Sequence, residues 1–141
     1  MSTSSLTALA DGVVTRLSSQ SFSKSFSVSR NYLPDFEREE LSGVEISVFP
    51  NGMQASTVSR SKEQFIYTLN IVVRIPITPS ASPDISSELY FTQEVRDALR
   101  LISIGTAGYQ GIQNDPAYDL EALAERNEFV AVLTSTYLEI K

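Results

Sequence analysis

A run of alternation in the middle of the chain limits the fold more than any other feature. Phe65, Tyr67, Leu69, Ile71, Val73 and Ile75 share one parity, and Gln64, Thr68, Asn70 and Arg74 share the other. Successive side chains of a strand point to opposite faces. The period of two therefore predicts a long strand over 63–75. Ile66 and Val72 are apolar exceptions on the polar parity.

The segments on either side supply the rest of a small α+β domain. Leu6, Leu9, Ala10, Val13 and Leu17 recur at helical spacing, and Ser4 or Ser5 can cap the start, so a helix is expected over 5–18. Gly12 costs that helix up to about 1 kcal/mol relative to alanine. Residues 18–31 are serine-rich, yet Phe22, Phe26 and Val28 fall on one parity and predict a half-buried strand near 24–32. Leu33-Pro34-Asp35 ends it, and Phe36–Leu41 suits one helical turn. Val44, Ile46 and Val48 predict a second strand, closed by Pro50-Asn51-Gly52. Residues 50–62 hold no acidic residue and almost no large apolar one, and they read as a long mobile connection.

After the central strand, Pro76, Pro79 and Pro83 break regular structure. Ser82-Pro83-Asp84 is a helix start. Ile85, Leu89, Val95, Leu99 and Ile102 carry a helical stripe to about residue 103, where Gly105 can close it. Residues 105–119 read as loop, Leu120–Arg126 as a short helix and Glu128–Ile140 as a last long strand. That strand has apolar residues on both parities, which implies burial on both faces or an intersubunit role for one of them. The expectation is one α+β domain over 1–141, a mainly antiparallel four-stranded sheet packed by two helices in the order α-β-β-β-α-β.

Composition narrows the chemistry. The 141 residues include no cysteine and no histidine. Disulfides, thiolate metal sites and cysteine nucleophiles are excluded together, as are a Ser-His-Asp triad and a histidine-ligated zinc site. Carboxylate, lysine, tyrosine and serine chemistry remain, and the high serine content without a nearby base is poor support for a nucleophile. No catalytic, cofactor or metal site is expected. Met1–Val14 lacks the pattern of a secretory leader, and Leu69–Ile77 is too short to span a bilayer. Formal net charge is −6: residues 1–80 hold seven basic and seven acidic residues, and residues 81–141 four and ten. An acidic surface does not hold nucleic acid by phosphate neutralisation.

Several clusters invite a functional reading and also have a plain one. Gly105, Gly108 and Gly111 follow a helix, whereas a phosphate-cradling loop follows a strand, so loop flexibility is the better account. Glu37, Glu39 and Glu40 are interrupted by Arg38 and suit a solvated turn. Asp115 and Asp119 lack the glycine and the terminal glutamate of a calcium loop. Arg60, Lys62 and Arg74, or Arg96 and Arg100, are candidates to contact a partner or a nucleic acid, against ordinary surface solvation.

Five stretches together resemble the small neck and tail-completion subunits of tailed bacteriophages: LTALADGVVTRL (6–17), FSVSRNYLPDFEREEL (26–41), VEISVFPNG (44–52), EQFIYTLNIVVRI (63–75) and EFVAVLTSTYLEIK (128–141). The resemblance implies a tail-terminator or neck subunit without enzymatic activity. Such subunits form six-fold rings that cap the tail tube, stop its growth and join it to the head. It implies tail tube protein and head-proximal neck proteins as partners. DNA would pass through without specific binding, and no membrane would be involved. Such a protein is made in the host cytoplasm and resides in the virion. In that setting Arg60, Lys62 and Arg74 are interface candidates, and Asp115, Asp119, Glu121 and Glu125 are candidates to line a lumen that repels DNA. The competing reading is a small bacterial cytoplasmic module that binds a peptide or small molecule.

Overall fold

The alternating run becomes β3 (Lys62–Pro76), a strand paired along both edges. The computed structural model describes residues 4–32 and 43–141. The expected Leu-Pro-Asp turn, the helical turn after it and the Glu37, Glu39 and Glu40 cluster lie outside the described residues.

In chain order the elements are α1 (Ser5–Ser18), β1 (Ser27–Arg30), β2 (Glu45–Ser59), β3, α2 (Ser86–Leu99), β4 (Gly108–Gln113), α3 (Leu120–Arg126) and β5 (Glu128–Ile140). The strands form one five-stranded sheet in the order β1-β2-β3-β5-β4. The α+β class and the mostly antiparallel pairing agree with the expectation, but the sheet gains a strand, β4, and the short helix expected over 120–126 packs as a third helix in addition to the two. β1 runs parallel to β2, pairing Val28 with Ile46 and Arg30 with Val48. A parallel pair needs a crossover rather than a hairpin turn, and residues 31–44 connect the two.

The largest difference falls on residues 50–62. They form no loop: β2 continues through Pro50-Asn51-Gly52 to Ser59, turns at Arg60-Ser61 and returns as β3. Pro50 lacks the N–H that a strand with two neighbours would need. β1 pairing stops at Val48, and the β2–β3 register shifts between Pro50 and Gly52, so the proline sits at a bulge whose outer edge has no strand partner among the described residues. Residues 105–119 also hold a strand, β4, whose register shifts between Tyr109 and Gly111.

Odd-numbered positions of β3 and β5 face α1 and α2. Tyr67, Leu69, Ile71, Val73, Phe129, Ala131, Leu133 and Tyr137 are buried there with Leu9, Ala10, Val13 and Leu17 of α1 and Phe91, Val95 and Leu99 of α2. Each of the valine, leucine, isoleucine and phenylalanine side chains among them stabilises by about 1.5–3 kcal/mol. Ser4 caps α1 by accepting from the Thr7 N–H at 3.1 Å. The Arg16 Nε donates to the Ala98 carbonyl at 2.9 Å and ties α1 to α2. Gly12 has a packing reason: a methyl group there would lie 2.3 Å from Ile104 Cγ2. Phe22 and Phe26, the aromatics of the serine-rich segment, lie with ring centroids 5.7 and 6.0 Å from that of Phe91.

α2 ends at Leu99, earlier than expected. Gly105 does not close it: Leu101 takes the left-handed conformation just past the helix (φ 60), and Gly105 (φ 59) serves the turn bridged by Ile104 and Ala107. Leu69 and Ile71 have no exposed surface and belong to the central strand. Leu69→Asp or Ile71→Asp buries an unpaired charge that costs several kcal/mol. Each variant is expected in the insoluble fraction on expression, with no cooperative thermal transition in any soluble remainder.

Candidate assembly interface

The β2–β3 hairpin places Arg60 and Lys62 together at its tip. Thr57 pairs with Glu63 and Ser59 with Lys62, while pairing of β3 with β5 ends at Gln64 and Ile140. Glu63 and Lys141 then exchange backbone hydrogen bonds of 2.8 and 3.0 Å. The tip, residues 57–62, therefore runs past the rest of the sheet. Both basic residues are exposed, and Val58 between them and the sheet is 55% exposed.

Arg74 does not join them, which corrects its place among the interface candidates. It lies twelve residues along β3, about 40 Å away at the strand rise, and is buried at 5% exposure. Its Nε donates to Glu128 Oε1 at 2.5 Å, and its Nη1 lies 3.5 Å from Glu45 Oε2. The register explains the contact: Glu45 pairs with Arg74 on one side, and on the other Glu128 pairs with Pro76, two residues along β3 and so on the same face. The Glu128 side chain is itself only 9% exposed. Removing one partner of a buried pair strands the other charge, at about 3–5 kcal/mol. Arg74→Met should lower unfolding free energy by that amount in urea titrations, and Arg74→Met with Glu128→Gln should recover most of it.

On the sheet face opposite α1 and α2, α3 packs over β5. Asp119 is its N-cap, with Oδ1 accepting from the Glu121 and Ala122 N–H groups at 3.0 and 3.2 Å. Ala122 buries against Phe49, Val72 and Val130 in a second, small core. Beside it opens a groove of about 420 Å³ with Val130, Val132 and Thr134 as its floor. Three of the four acidic candidates, Asp115, Asp119 and Glu121, stand on its rim, whereas Glu125 is exposed elsewhere on α3. Val132 is 41% exposed and Leu120 69%. The groove was invisible in the sequence because β5 alternates apolar residues on both parities. Only the shortness of α3, seven residues against a strand of thirteen, hints that one face stays partly uncovered.

The sequence reading also missed a polar cluster at the far end of β5. The hydroxyls of Thr106 and Tyr67 donate to Glu139, the latter at 2.9 Å, and Lys141 Nζ lies 3.4 Å away. These contacts, the Thr106 hydrogen bond foremost, hold the Glu139 carboxyl below its ordinary value of 4.5. Burial and the bond to Glu139 push the Tyr67 hydroxyl up. A depressed carboxyl contributes stability that is present above its unfolded value and is lost as pH falls through the folded one. Glu139→Gln should therefore lower Tm at neutral pH, and the difference from the unmodified chain should shrink as pH drops below 4.5 in thermal melts.

Neither the family models nor the curated proteins compared with the chain match it. Among the described residues there is no group of three acidic side chains placed to hold a metal ion, and no helix long and apolar enough to cross a membrane.

Proposed function

We propose that the chain is a non-catalytic structural subunit of a tailed bacteriophage, a tail-terminator or neck protein whose copies form a ring that caps the tail tube and joins it to the head. The observation that carries this reading is the unfinished state of the sheet. One face is sealed by two fourteen-residue helices, but among the described residues the other has only α3 over one end. Leu120, Val132 and Ile140 remain 69%, 41% and 53% exposed on or beside it. Among the described residues, β2 beyond Val48 and the outer edge of β4 carry no neighbouring strand. Open edges and partly covered apolar faces are the surfaces that subunits use to meet one another.

The resemblance of the five sequence stretches to neck and tail-completion subunits supplies the particular assembly. Its partners would be further copies of the chain, tail tube protein and head-proximal neck proteins, with DNA passing and not held. A six-fold ring and a place in the virion belong to the same proposal. The groove beside α3 supports a second reading, a cytoplasmic module for a peptide or small molecule, because about 420 Å³ lies within the size range of ligand pockets.

Mass in solution separates the two. Native mass spectrometry and light scattering should show a species of six chains, each of 15.5 kDa, at high protein concentration or on mixing with tail tube protein. A monomer under every condition would remove the ring and leave the binding module.

A further inference from the structure

We infer that the tip of the β2–β3 hairpin of one copy seats in the acid-rimmed groove beside α3 of another copy. The two surfaces are complementary in shape class and in charge. The tip is convex, with exposed Val58 flanked by Arg60 and Lys62, and residues 50–62 contain no acidic side chain. The groove is concave, with Val132 in its floor and Asp115 and Glu121 on its rim. Val58 covers the apolar floor while the two cations meet the rim carboxylates. Asp119 is partly committed to capping α3, so Asp115 and Glu121 are the freer pair.

The occupant must come from another copy. Val132 in the groove floor is opposite Val72, ten residues along β3 from Lys62. At the strand rise this separates tip and groove floor by about 33 Å along a paired, rigid strand. A chain cannot place its own tip in its own groove, yet every copy carries one of each. The contact is heterologous, and repeated around a rotation axis it closes a ring. The inference rests on the ring reading for that symmetry alone. It moves Asp115, Asp119 and Glu121 from the lumen to a contact between subunits, and leaves Glu125 as the candidate for a lumen.

The absence of cysteine makes the test clean. Val58→Cys and Val132→Cys place single thiols at two exposed positions. Mixing the two variants under mild oxidation should give a covalent heterodimer well above the yield from Val58→Cys mixed with Ser21→Cys, whose thiol lies on another exposed segment. Reversing the tip charges with Arg60→Glu and Lys62→Glu should reduce that yield to the control level. Asp115→Lys with Glu121→Lys in the partner should restore it. A single chain carrying both cysteines should give a ladder ending at the closed ring. Covalent dimers alone would support the contact but overturn the ring. A product no better than control, from protein that is oligomeric by mass, would overturn the contact and leave the ring reading standing. Protein that stays monomeric and yields no product would overturn both.

Discussion

β3 is bound on both sides, and its two registers decide where nearly every other group lies. It runs against β5 from Gln64 opposite Ile140 to Pro76 opposite Glu128, and against β2 from Lys62 to Arg74. Sliding a strand by one residue exchanges its faces. Here such a slip would turn Leu69, Ile71 and Val73 away from α1 and α2 and carry Arg74 toward the main core. The same registers place Glu45 and Glu128 around Arg74 and bring Tyr67 to Glu139. The ion pair and the hydroxyl–carboxylate cluster are therefore consequences of the pairing. They also defend it, because each loses its partner in any other alignment.

The sheet is covered unequally, and this follows from the lengths of its helices. α1 and α2 have fourteen residues each, enough to cover the face carrying Tyr67 to Ile75. α3 has seven and buries one alanine. Beyond its reach the second face is lined by Thr68, Asn70, Thr134 and Thr136, half-buried residues, with Thr134 donating to Asn70 at 3.2 Å. Threonine suits a strand and tolerates water. This end of the face can stay wet in a free subunit, while the valines and leucine beside α3 gain by being covered.

Elements with a strong period were legible in the sequence. α1, α3 and β5 have the expected bounds, and β3 differs from its expectation by one residue at each end. What failed was punctuation. Pro50-Asn51-Gly52 is turn chemistry in isolation, but a bulge, at an outer edge left unpaired among the described residues, accommodates it inside β2. The polar residues that follow resemble a loop because both faces of the hairpin are exposed, so no alternation marks them. β4 was hidden for a related reason: its bulge between Tyr109 and Gly111 breaks the period, and its glycines point to a turn. Of the site, the basic tip and the acidic second half of the chain were both visible as composition. The groove was not, because it depends on which face of β5 the short α3 covers. Arg74 looked exposed for its parity, and only the pairing partners of β3 show that two carboxylates enclose it.

Charge distribution along the chain gives the tip and the groove different roles in one contact. The tip lies in the electrically neutral stretch 1–80, and the groove rim lies in the stretch that carries the whole excess of −6. Two copies approaching at random repel through that excess. An approach that brings the tip of one to the α3 end of the other is favoured, within about 8–10 Å at physiological salt. Rim charges of this kind set orientation and association rate more than final affinity. Affinity has to come from apolar surface withdrawn from water, which Val58 on one side and Val132 and Leu120 on the other can supply. The division also bears on symmetry. Meeting like end to like end would place acidic rim beside acidic rim, whereas tip to groove pairs opposite signs at every step. A molecule polarised along its longest strand is therefore biased toward head-to-tail assembly before any particular ring size is considered.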